Sequence, residues 1–246
     1  MLDADAVSAY LEAVGWLEDL IASEQVGAAW SLPSSLAHYS TGGVAAHAVY
    51  AGVLRLVQML EEAEPHVSSL VSVAEYYGAN RLDPTGVEDP LFVILREGAE
   101  KVARQGHERL LSTCRAAHAE LRRALPLESA SRRIAVARVP GGSSTLADYL
   151  RTRVVEIVVH GDDVVTSVKG LVSVPPRRAL STTVWRCAWS SPVRGWVTSA
   201  SCARSPAPSV PSRRLCACCD AAPGPVRPGE GSASEGRWAG RITWCA

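Results

Sequence analysis

Through the first 170 residues, apolar side chains recur at three- and four-residue intervals and almost nowhere alternate, a period that belongs to helices rather than strands. Residues 3 to about 27 carry Val7, Tyr10, Leu11, Val14, Leu17, Leu20 and Ile21 in that rhythm and predict a first helix. After the loop SLPSSLAHY, Ser40 or Thr41 supplies an N-cap for a second, GGVAAHAVYAGVLRLVQMLEEAE, which Pro65 ends. Residues 64 to 90 mix Gly78, Asn80, Asp83, Pro84 and Gly86 with Tyr76 and Tyr77, the composition of a loop with room for a short helix. A third long helix with a charged face is predicted from about Pro90 to Leu125, followed by the β-prone RIAVARV (133 to 139) and the turn PGGSS. A fourth helix starts at Thr145, with Asp148 at N3 in a variant of the capping box, and stops around Lys169 and Gly170. Four long helices with almost no strand predict an all-α fold, a four-helix bundle over residues 1–172.

The fourth helix carries the first sign of chemistry. In LRTRVVEIVVHGDDVV (150 to 165), Glu156 and His160 stand four residues apart and therefore on one face. Their stripe continues through Tyr149, Arg153 and Asp163, while Val154, Val155, Ile157, Val158 and Val159 cover the rest, so the helix is expected to be buried. A buried carboxylate needs a partner, because an unpaired one costs several kcal/mol, roughly, in desolvation. Among six histidines, His107 and His118 sit among charges and read as solvated, and His66 and His38 lie in loops. His47 is set among small residues in GGVAAHAVYAG, where another helix can approach. One glutamate and two histidines suit zinc or a similar divalent ion with a coordination position left open. The same spacing also fits a Glu–His pair or a hydrogen-bonded core histidine, and the residues alone leave these alternatives open.

A net charge of zero conceals two unlike segments. Residues 1 to 174 hold 22 acidic and 15 basic side chains, whereas residues 175 to 246 hold 3 acidic side chains and 10 arginines. That second segment also has nine prolines, six of the seven cysteines and five tryptophans, but only two leucines, one isoleucine and no Phe or Tyr. Such a composition cannot pattern a packed helix, so residues 173–246 are expected to be an unstructured tail. A GC-rich gene read out of frame after a frameshift near residues 172 to 185 yields the same surplus of Arg, Pro, Ala, Ser, Gly, Cys and Trp. In that reading the six cysteines have no function, and the chain binds metal while lacking part of its pocket. The C-x-C-C of LCACCD has no second Cys/His pair for a tetrahedral zinc. Only Cys114 falls in the body, which excludes a disulfide framework there. No run of 18 or so consecutive apolar residues is present, and the acidic start MLDADAVSAY lacks the basic region of a secretory leader. The expectation is a cytoplasmic protein with neither a membrane nor a nucleic-acid partner, since an Arg-rich nucleic-acid contact would rest on the tail alone.

The pattern LADYLRTRVVEIVVHGDDVVTSV, preceded by a helix carrying GGVAAHAVYAG after a Ser/Pro-containing loop, resembles the metal-binding domain of mycothiol-dependent maleylpyruvate isomerases. These belong to the wider DinB-like four-helix bundles. The resemblance covers roughly residues 5 to 172 and is most specific from Leu146 to Asp163. It implies that His47, Glu156 and His160 hold a divalent metal, typically zinc, and that mycothiol or another low-molecular-weight thiol is the cofactor. It further implies a thiolate that adds to the double bond of a cis-enedione-like acid, permits rotation and leaves to give the trans product, or a related thiol transfer. The substrate itself does not carry over. Arg153 and Asp163 are the candidate catalytic residues, with Asp162 and Asp163 also suited to orienting a ligand histidine from behind. The alternative is a non-catalytic metal-binding or regulatory bundle, or a plain scaffold in which Glu156 and His160 only pair.

Overall fold

The computed structural model describes residues 3–66, 69–78, 90–129, 131–136 and 141–181. Helix α1 (Ala4–Ala22) starts at Asp3, whose carboxylate accepts from the N–H groups of Asp5 and Ala6 and so satisfies two otherwise orphaned donors. Ser23 leaves the helix and caps a short α2 (Glu24–Ala28), so the first predicted helix is two pieces. Helix α3 (Thr41–Val49) begins, as expected, at Ser40, whose hydroxyl accepts from Gly43 N at 2.9 Å. It passes through a π-helical turn, Tyr50–Leu54, into α4 (Arg55–Glu61) without a break. The whole Thr41–Glu61 stretch is long and apolar enough, by length and composition, to cross a membrane. For α3 that apolarity matches a place in the core, since every one of its residues is buried, while the rest of the stretch is buried in part.

A three-stranded sheet accompanies the helices, one strand of it in the β-prone RIAVARV and the other two unannounced by the apolar pattern. Strand β1 (Ser69–Leu70) runs parallel to β3 (Gly142–Thr145), and β2 (Arg133–Val136) runs antiparallel to β3 with Ile134 opposite Ser144. Helix α5 (Val73–Gly78) follows β1. The long helix expected from Pro90 to Leu125 is interrupted to give α6 (Pro90–Ala103) and α7 (His107–Ala124). The cause is Gly106, which takes φ of 100°, a backbone conformation that glycine adopts without a Cβ clash. Helix α8 (Leu146–Ser167) is capped by Thr145, whose Oγ1 accepts from Asp148 N at 3.1 Å.

Four helical rods close a ring in which α8 packs on α1 and α3, α3 on α6, and α1 on α7. Tyr10, Leu17, Ile21, Leu150 and Ile157 lie fully buried at its centre. Helix α8 comes close to the π-turn at Gly52, where an added Cβ would collide with Ile157. This is the all-α, four-helix architecture expected from the apolar period. Residues 173–181, assigned above to the tail, belong to the folded body instead. Trp16 Nε1 donates to Ser173 Oγ at 2.8 Å, and Ala179 is fully buried against the core. The readings of the tail as unstructured or out of frame otherwise fall on residues 182–246, outside the described residues.

Candidate metal centre

His47 projects from α3, and Glu156 and His160 from adjacent turns of α8, onto one point of the interface between those helices. Each offers one ligand atom, and the three lie within 4.8 Å of one another. The His47 and His160 rings meet edge to face, 4.6 Å between centroids, and His160 Nε2 stands 3.8 Å from Glu156 Oε2. Metal–ligand bonds of about 2.0–2.2 Å in a tetrahedron place donor atoms about 3.4 Å apart, so this Glu–His spacing is close to that of a chelating pair. Nitrogen and carboxylate donors are the types zinc and similar divalent ions take. Glu156 and His160 are each 2 % exposed and His47 8 %, so the whole group is buried, His47 the least deeply. The structure thus brings together all three residues named from the sequence.

Arg153 and Asp163 flank the pair on the same stripe. Arg153 lies 3.8 Å from Glu156 Oε1, the oxygen turned away from His160. Its guanidinium also donates to the Ala51 carbonyl and the Tyr76 hydroxyl, both at 2.7 Å, and sits 4.8 Å from the centre of the Tyr149 ring. Burial alone would lower the pKa of Arg153, but the surrounding tyrosine oxygens and the Glu156 carboxylate outweigh it and hold the pKa well above the ordinary arginine value. Arg153 is therefore a fixed buried cation. Asp163 Oδ2 lies 3.1 Å from His160 Nδ1, on the opposite side of the ring from Glu156. Both candidate catalytic residues touch ligand residues, Arg153 at Glu156 and Asp163 at the His160 nitrogen farther from Glu156. Asp162, weighed beside Asp163, is only partly buried.

The π-turn is part of this arrangement. Arg55 N reaches back five residues to the Tyr50 carbonyl, and the neighbouring carbonyls of the wide turn take side-chain donors: Ala51 O from Arg153, and Gly52 O from Tyr10 at 3.0 Å. Such turns occur often at functional sites. Nothing in GGVAAHAVYAG announces it. Tyr76 was also missed, because its donor Arg153 is distant in sequence. Beside the centre the Tyr39 ring lies 6.3 Å from His47, carried by a loop in which His38 takes φ of 67°.

The remaining histidines stand apart from the centre. His107 and His118, read above as solvated, are instead half-buried structural groups. His107 Nε2 bonds with the Ile21 carbonyl at 2.6 Å and its ring meets Trp30 edge-on, while His118 pairs with Glu18 at 3.0 Å. Packing of α7 on α1 covers a face that the charged sequence alone makes look exposed. Cys114 is buried, and burial pushes its thiol up to about 12, so it is no nucleophile at neutral pH.

No curated protein and no solved structure gives a significant match to this chain. The family model of the mycothiol maleylpyruvate isomerase N-terminal domain matches residues 13–165, which take in all three residues of the centre. That span is more than half of the chain and reaches from α1 almost to the end of α8. The chain belongs to the mycothiol maleylpyruvate isomerase N-terminal domain family.

Proposed function

We propose that this protein is a thiol-dependent metalloenzyme of the maleylpyruvate isomerase type, in which His47, Glu156 and His160 hold a divalent cation, zinc or a close substitute. The observation that carries this reading is the convergence of three buried ligand atoms, from two facing helices, within 4.8 Å. When bound, such an ion supplies one thing: it keeps a ligating thiol in its deprotonated, nucleophilic form at neutral pH. The chain's own residues do the rest. Glu156 and His160 provide two donors from a rigid helix, and His47 provides the third from a helix whose small residues let it approach. Arg153 and Asp163 hold Glu156 and His160 in place. Burial of the pair excludes bulk water from it, and a thiol and a small-molecule substrate would reach the centre past His47, the least deeply buried of the three.

The family's name supports mycothiol as that thiol, and cis–trans isomerisation of an unsaturated acid, or thiol transfer, as the reaction class. We place this activity in the cytoplasm. The test is metal content by plasma mass spectrometry on the purified full chain beside His47→Ala and Glu156→Ala. The expected result is about one equivalent of zinc above the level in either variant, since three protein ligands make one site. Comparison with the variants matters because the cysteines beyond residue 181 can take zinc on their own. Equal metal in all three proteins would overturn the reading and leave Glu156 and His160 as a structural pair.

A further inference from the structure

We propose that Asp163 is a positioning residue that decides which nitrogen of His160 is offered to a cation. The inference rests on the reading of His47, Glu156 and His160 as a metal site and deepens it. A neutral imidazole has one N–H donor and one nitrogen with a free lone pair, and a hydrogen bond at one nitrogen fixes the role of the other. Asp163 Oδ2 stands 3.1 Å from His160 Nδ1, which assigns the proton to Nδ1. The lone pair is then on Nε2, the nitrogen that faces Glu156 Oε2 at 3.8 Å. Metal-bound histidines commonly have a carboxylate in this position, where it sets ring orientation and raises donor strength.

The backbone of Asp163 is itself pinned. Its carbonyl accepts from Ser167 Oγ at 2.6 Å and from Ser35 Oγ at 3.1 Å, and Ser35 N donates to Ser167 Oγ at 2.9 Å. Position 163 is near the end of α8, where a helix is least constrained by its own hydrogen bonds. Two hydroxyls on one carbonyl hold that last turn against the loop before α3, the loop that also carries Tyr39 beside His47. Asp163 is thus buried, fixed along its backbone and in contact with one ligand only, which distinguishes it from a carboxylate that would bind the cation directly.

The experiment is zinc titration of the metal-free full chain against a chromogenic chelator, with visible absorption of the cobalt(II)-loaded protein as a second readout. Wild type is compared with Asp163→Leu, with Asp163→Asn, which keeps an acceptor oxygen, and with His47→Ala, which counts zinc taken elsewhere. Asp163→Leu is expected to weaken zinc binding about 10- to 100-fold and to shift the cobalt spectrum. Asp163→Asn is expected to recover most of that loss and to melt close to wild type without metal, whereas Asp163→Leu, which leaves the buried Nδ1–H of His160 without an acceptor, melts lower by a few degrees. Unchanged zinc affinity in Asp163→Leu would overturn the inference while leaving the metal site intact. A loss of affinity matched by an equal loss of metal-free stability in both Asp163 variants would reduce Asp163 to a packing residue. Wild type binding no more zinc than His47→Ala would remove the site and the inference together.

Discussion

Arg153 and Glu156 form the buried ion pair at the back of the centre, with side chains 5 % and 3 % exposed and 3.8 Å between charged atoms. At that distance and an effective dielectric constant of about 20, the attraction is roughly 4 kcal/mol. Breaking a buried pair from one side costs about 3–5 kcal/mol, because the surviving charge stays buried without its partner. Arg153→Met should cost about 4 kcal/mol, above the lower end of that range, since it also removes the donors to the Ala51 carbonyl and the Tyr76 hydroxyl. Glu156→Met should cost about 3 kcal/mol, because Arg153 keeps those two acceptors and the Tyr149 face. The double variant buries two methionines and no charge, and should lose only about 4 kcal/mol, leaving a coupling of about 3 kcal/mol. The assay is urea unfolding of the metal-free chain at pH 7, followed by far-ultraviolet circular dichroism, with melting temperature as a check. For a chain of this size each kcal/mol corresponds to about 2–4 °C. A double variant whose loss equals the sum of the single losses within about 0.5 kcal/mol would refute the pair as a coupled unit.

Three further outcomes follow from the packing. Gly52→Ala places a methyl group against Ile157 and should cost about 1–3 kcal/mol in the same unfolding assay, with weaker zinc binding because α3 is pushed from α8; wild-type stability and affinity together would contradict the close approach. Tyr10→Phe leaves the Gly52 carbonyl of the π-turn without its 3.0 Å donor and should cost about 1–3 kcal/mol, read from melting curves. Cys114, with its thiol near 12 against an unfolded value near 9, should resist iodoacetamide at pH 8 in the folded chain and react after denaturation, as peptide mass mapping would detect. In the same group the sign of linkage is clear. The unfolded thiol loses its proton first, so stability is full below about pH 9 and falls, by at most about 1.4 kcal/mol per unit, between pH 9 and 12.

Much of the helical layout is legible from local pattern. Ser40 and Thr145 announce their helix starts because a cap is a contact within three residues. The third helix is different. Its apolar and charged pattern runs on past Gly106, and one glycine in a helical run does not by itself announce a break. Strand β2 lies in the β-prone RIAVARV, but its partners are hidden, because β1 and β3 meet from distant parts of the chain through only two register pairs. His107 and His118 look solvated by composition and become half-buried once α7 lies on α1.

The centre divides in the same way. Glu156 and His160 are four residues apart in one helix, so helical geometry alone puts them on one face, and the surrounding valines predict their burial. His47 stands out in the sequence only by its small neighbours and by resemblance to a family. Its meeting with the other two is a property of how α3 crosses α8, which depends on Gly52 accepting Ile157 at the contact. The supports behind the site, namely the π-turn, Tyr76, Ser35 and Ser167, come from segments far apart in the chain and were visible only in the folded structure. Local hydrogen bonding and side-chain period are written in neighbouring residues, whereas contacts across helices are set by packing of the whole core, which no short stretch of sequence contains.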